Sequence, residues 1–164
     1  MRAEVMRLAK VVNDGDQCLI LDCRGFHDPG KGSRWHLGLL PQNLQSVVEH
    51  RDFPRFLSDV RMNLGKLEMQ EQTAPISIVC YCRKGAHRST AVACILHHIL
   101  MQTCTSATLL PIRHLSKDAG VWESDYCGEC RQCRQFSFQR TAPRINNAVC
   151  RPRFKNHHDL SKLS

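Results

Sequence analysis

Residues 76–90 constrain this chain more than any other stretch. Ile76, Ser77, Ile78, Val79, Cys80 and Tyr81 follow a proline and make a short, largely apolar, β-branched run, the pattern of a buried strand. Cys82 through Arg88 is polar and holds Gly85, which suits a tight loop. From Ser89 to about Met101, Ala91, Val92, Ile95, Leu96 and Ile99 recur at helical spacing. A buried strand that passes through a short loop straight into an amphipathic helix is the building block of a layered α/β domain, so that class is expected here.

The rest of the body fits this expectation. Ala3, Met6, Leu8, Val11 and Val12 suggest a first helix, closed by the turn residues Asn13, Asp14, Gly15 and Asp16, and Cys18–Leu21 reads as a second buried strand. Leu44, Val47 and Val48 mark a short helix. Phe56, Leu57, Val60, Leu64 and Leu67 mark a longer one, with Pro54 tolerable in its first turn. Residues 108–112 are a weaker strand candidate. With 164 residues, the chain divides into an α/β body over 1–120 and an extension over 121–164. A body of this size buries roughly two thirds of its surface, enough to fold independently.

The loop from Cys82 to Ser89 suits a phosphate. Backbone N–H groups of a curled loop and of a first helical turn converge on an anion, the helix dipole adds positive potential, and Arg88 can grip two oxygens. Gly85 lets the chain curl, and Ser89 or Thr90 is expected to cap the helix through a first-turn N–H. Arg83, Lys84 and Arg88 raise the local field, which would favour a thiolate at Cys82. A plainer role for Cys82 is a structural thiol at a strand end. His87 suits either a local hydrogen bond or a ligand contact. Cysteine, five residues, arginine and serine also resemble the phosphate loop of cysteine-dependent phosphatases, with Cys82 as nucleophile and Arg88 as clamp. That chemistry needs a carboxylic acid to protonate the leaving group, for which Asp28, Asp52 and Asp59 are the candidates.

A second resemblance uses more of the chain. Cys82, Gly85, His87, Arg88 and Ser89 resemble the loop in the C-terminal domain of the RapZ family of RNase adapter proteins. Leu21, Asp22, Cys23, Arg24 and Phe26, followed by Asp28 and Pro29, are similar to that domain's early strand. Leu37, Gly38 and Leu39, the helices through Val47 and over 53–67, and Ile112, Arg113, His114 and Leu115 follow in the family's order, so the likeness spans about residues 17–118. It implies a three-layer sandwich around a central sheet, assembly into homo-oligomers, and binding of RNA or a phosphorylated small molecule. Its ligand-binding residues would be Arg83, Lys84, Gly85, Ala86, His87, Arg88 and Ser89, with Asp22, Arg24 and His114 nearby; Asp22 and Arg24 could equally pair with each other. Arg83 and Lys84 replace a Thr and a Gly of the family's loop, which makes it more basic. The family's nucleotide-binding half has no counterpart: the chain lacks G-x-x-x-x-G-K-[ST], so no ATP site is expected.

Charge and cysteine both divide between body and extension. Residues 1–120 hold 15 Lys/Arg and 11 Asp/Glu, and residues 121–164 hold 8 and 4, so the shorter segment carries half of the net +8. Cys127, Cys130 and Cys133 are spaced as zinc ligands are, and Cys150 could close a tetrahedral Zn²⁺ site. An iron–sulfur run would place a fourth cysteine at position 137, which is Ser. A basic tail of low order with incidental thiols accounts for the same residues, as does a zinc-stabilised scaffold. Arginines interspersed with Phe136, Phe138 and Phe154 would suit single-stranded nucleic acid. No apolar run is long enough for a membrane span. The amino terminus, with Glu4 and no unbroken apolar stretch, does not resemble a secretory signal, so the 10 cysteines are expected to be reduced in a cytoplasmic or nuclear setting.

Overall fold

The structure, a computed structural model, describes residues 17–27, 38, 40–70, 75–83, 85–103 and 108–115. The candidate first helix, Asp28, Lys84 and the whole extension, with Cys127, Cys130, Cys133 and Cys150, lie outside the described residues. In chain order the elements are β1 (Gln17–Asp22), α1 (Pro41–Val48), α2 (Phe53–Gln70), β2 (Ile76–Tyr81) and α3 (Arg88–Thr103). The architecture is mixed α/β, with a two-stranded parallel sheet and three helices among the described residues.

β1 and β2 run parallel in one register, from Gln17 opposite Ile76 to Asp22 opposite Tyr81. Parallel neighbours cannot be joined by a hairpin, and the crossover here is long enough to hold both α1 and α2. Two backbone bonds extend the ladder past its ends, Gln17 N–H to the Pro75 carbonyl and Cys23 N–H to that of Tyr81, both 2.9 Å. Because side chains alternate along a strand, Leu19, Leu21 and Cys23 share one face with Ile78, Cys80 and Cys82, and all six belong to or border the core. On the opposite face Cys18, Ile20 and Asp22 are exposed.

The helices form where apolar spacing and chain punctuation agree. Pro41 opens α1, where its missing N–H costs nothing. Leu40 stands at the cap position with no side-chain cap, its carbonyl accepting from Asn43 and Leu44. α1 turns Leu44 and Val47 inward. Phe53, Leu57 and Val60 form the buried stripe of α2, with Leu64 partly buried one turn on, and α2 lies against β1. α3 packs on β2 and α1, burying Ala91, Val92, Ile95 and Leu96 as the periodicity requires. Leu44, Val47, Val92 and Ile95 are at most 1% exposed, and each contributes roughly 1.5–3 kcal/mol by leaving water. Phe26 joins this layer to an aromatic cluster, edge-on to Phe56 at 5.1 Å and to His50 at 5.3 Å between ring centroids.

Residues 108–112 form no strand, in contrast to the sequence expectation. Pro111 has no N–H to give to a ladder, and Leu110 is 76% exposed. Ile112 still packs on the core, so the apolar pattern of the segment reports burial at one position and not a strand.

Two substitutions test the layering. A Cβ at Gly65, inside α2, meets nothing within 4 Å, so Gly65→Ala is expected to raise stability by about 0.5–1 kcal/mol through helix propensity alone. Ile95→Ala, at the centre of the core, should cost about 2–5 kcal/mol. Urea unfolding of the full chain reads both.

Candidate functional site: the loop between β2 and α3

Parallel pairing puts the C-terminal ends of both strands at one edge of the sheet, and the candidate loop begins there. After Tyr81 the chain passes through Cys82 and Arg83, turns at Gly85 and enters α3 at Arg88. Gly85 has φ 65°, in the left-handed region that a residue with a Cβ enters at a cost, and it alone among the described residues has a positive φ. Ala86 is fully buried and His87 is 7% exposed, whereas Arg83 is exposed.

The two hydroxyls after the loop do not cap the helix as the sequence suggests. α3 begins one residue earlier, at Arg88, so Ser89 and Thr90 already sit inside its first turn and reach back toward the loop. Thr90 Oγ1 donates to the Gly85 carbonyl at 3.3 Å, and Ser89 Oγ lies 3.2 Å from Cys82 Sγ. The first helical hydrogen bond runs from Ala91 N–H to the His87 carbonyl at 2.8 Å. The loop is thereby closed from within by two short side chains.

Arg88 ties the loop to the end of β1. Its Nη1 donates to the carbonyls of Arg24 at 2.9 Å and Phe26 at 3.3 Å, so one nitrogen of the expected phosphate clamp also braces the turn after β1. Asp22 and Arg24 pair with each other. Arg24 Nε bonds both carboxylate oxygens at 2.9 Å, its Nη2 bonds Oδ2, and its backbone N–H donates to Oδ1 at 2.9 Å. The guanidinium also lies 5.4 Å from the centre of the Tyr81 ring. Bonding to Arg24 lowers the Asp22 carboxyl from 3.8 to about 2, so this residue is a carboxylate and no proton donor at neutral pH. The same carboxylate pushes the Tyr81 hydroxyl up.

Gly38, which the sequence offered as part of the resemblance but with no role in the loop, is a loop partner. Its N–H donates to the Ala86 carbonyl at 2.8 Å, and a Cβ there would stand 2.0 Å from the His87 carbonyl oxygen. The only trace of this in the sequence is a glycine between Leu37 and Leu39, outside any helical or strand pattern. His114 is half-buried in the segment that ends on Leu115. Of the candidate acids, Asp52 stands in the turn between α1 and α2, where its backbone N–H donates to His50 Nδ1 at 3.2 Å, and Asp59 lies along α2.

Four cysteines outside any disulfide lie at and beneath the loop. Cys23 is fully buried, Cys94 is 5% exposed, and Cys80 and Cys82 are half-buried beside them. The neighbouring Cys80 thiol and burial hold the proton on Cys23, and burial pushes Cys94 up to about 12. No group of three or more metal-ligating side chains is assembled among the described residues, and none of the described helices is long and apolar enough to cross a membrane. Comparison with protein-family models, curated proteins and solved structures finds no match for this chain.

Two measurements check this geometry. Gly38→Ala should destabilise the fold by at least about 1–3 kcal/mol, since backbone must move to admit the methyl group, and thermal unfolding reads the loss. Asp22 has a depressed folded-state pKa, so its contribution is complete above its ordinary value and disappears as pH falls toward the folded one. In Asp22→Asn the decline of Tm between roughly pH 4 and pH 2 should be shallower than in the parent chain.

Proposed function

We propose that this chain is an α/β module that binds phosphate groups, in RNA or in a phosphorylated small molecule, through the loop from Cys82 to Ser89. The supporting observation is the turn itself: Gly85 at φ 65° folds the chain back between a parallel strand end and the start of α3. Successive amides in such a turn and at a helix start form a concave donor surface for an anion. Its place at the C-terminal edge of a parallel sheet is where α/β domains hold ligands. Arg83 and Lys84 add charge, and Arg88, braced on the Arg24 and Phe26 carbonyls, is held at the loop.

This function agrees with the resemblance to the C-terminal domain of RapZ, and with it we propose the three-layer sandwich. The described helices cover the sheet face of Leu21 and Cys80; the sandwich requires a further layer over the face of Cys18 and Ile20. The extension is proposed to add a basic arm for RNA and a zinc site at Cys127, Cys130, Cys133 and Cys150. Homo-oligomers are the assembly that the resemblance implies.

The test is binding of a labelled single-stranded RNA by the full chain, titrated against salt, with a sugar phosphate as competitor. Replacing Arg83 and Lys84 together by Ala should weaken binding by about tenfold or more and flatten its salt dependence. Replacing Arg131, Arg134 and Arg140 by Ala should have the smaller effect. Affinity unchanged in the loop variant but lost in the tail variant overturns the loop as the site. Turnover of p-nitrophenyl phosphate that disappears in Cys82→Ser would instead establish the phosphatase chemistry.

A further inference from the structure

The strand register places two cysteines opposite one another beneath the loop. Leu21 pairs with Cys80 and Asp22 with Tyr81, and the bond from Cys23 N–H to the Tyr81 carbonyl continues the parallel ladder one residue further, to Cys23 opposite Cys82. Directly opposed residues of neighbouring strands are about 4.8 Å apart, inside the range of about 4.4–6.8 Å that a disulfide spans. Cys80, whose thiol contacts that of Cys23, is diagonal to it across the ladder, so its backbone stands farther from Cys23 than that of the directly opposed Cys82. Both opposed side chains point to the core face, where Cys23 is buried and Cys82 borders the same cluster.

The two thiols differ in a way that orders their chemistry. Cys82 is half-buried and 3.2 Å from the Ser89 hydroxyl, which makes it the more accessible of the two sulfurs. Cys23 has no solvent exposure and keeps its proton among neighbouring thiols. We propose that Cys82 and Cys23 form a peroxide-sensitive thiol pair whose oxidation joins the ends of β1 and β2 by a disulfide.

In the first step Cys82 sulfur attacks one oxygen of a hydroperoxide. The O–O bond breaks, Cys82 becomes a sulfenic acid, and the departing oxygen leaves as water or alcohol with the thiol proton. In the second, Cys82 Sγ turns from Ser89 and Cys23 sulfur attacks it. The S–O bond breaks, the S–S bond forms, and hydroxide departs with the Cys23 proton as water. Two thiols are oxidised and one peroxide is reduced. The pair stands on strand register alone and requires no ligand in the loop.

The test is treatment of the full chain with hydrogen peroxide, alkylation of remaining thiols, and non-reducing tryptic mapping. Cleavage after Lys10, Arg24, Lys66 and Arg83 leaves Cys18 and Cys23 in one peptide and Cys80 and Cys82 in another. These two peptides are expected to be joined, with fragmentation placing the bond at Cys23 and Cys82, and dithiothreitol should separate them. The link should vanish in Cys82→Ser and in Cys23→Ala and persist in Cys18→Ser and Cys80→Ser. Cys82 is half-buried, so its variant keeps the test decisive should Cys23→Ala fail to fold. A link mapped to Cys18 or Cys80, a link surviving in Cys82→Ser, or Cys82 passing to sulfinic acid with no link formed overturns the proposal.

Discussion

The parallel register of β1 with β2 is the constraint on which the other features depend. It forces the chain between the strands to cross over, which puts α1 and α2 against the sheet, and it brings Asp22 and Tyr81 to the same edge. The turn after β1 and the loop after β2 therefore start side by side. Every notable interaction of the site follows from that adjacency: Arg88 reaches the carbonyls of Arg24 and Phe26, Arg24 lies over Tyr81, and Cys23 faces Cys82. An antiparallel arrangement of the same strands would separate the two loops by the length of the sheet.

The edge is chemically two-sided. Toward solvent it presents Asp22, Arg24 and Arg83, and the ion pair there is strong in geometry while remaining exposed to water and salt. Beneath it lie Cys23, Ala86, Ala91 and Val92, all fully buried, so the loop is seated on a dry layer. A glycine makes the close seating possible. Gly38 lets two backbone segments approach to hydrogen-bond distance, a closeness that any side chain there would prevent. A loop held this way has its backbone fixed by the fold; under the proposed function, that would reduce the ordering cost of binding.

Much of the body was legible in the sequence. β2, α3 and its apolar face, the short helix around Leu44 and Val47, and the longer helix after Pro54 all follow from periodicity, because a side chain's face is set by its spacing whatever it packs on. Residues 108–112 were legible only as apolar, since burial of Ile112 and strand formation leave the same local trace. Ser89 and Thr90 carry the composition of a cap, yet a one-residue shift of the helix start turns both hydroxyls toward the loop. Of the site candidates, Asp22 and Arg24 are close enough in sequence for their pairing to be anticipated. The use of Arg88 on carbonyls 62 and 64 residues away was not.

By itself, the sequence determined the two strands and the three helices of the described body, that a glycine sits where the loop must curl, and that basic residues surround Cys82. These are local properties: propensity, spacing and charge are carried by a few neighbouring residues. Only the tertiary structure decided that the two strands pair in parallel, that Gly38 lies against the His87 carbonyl, and that Cys23 stands opposite Cys82. Those facts join residues far apart in the chain, and their physical origin is shared burial beneath one sheet face, which no short stretch of sequence encodes.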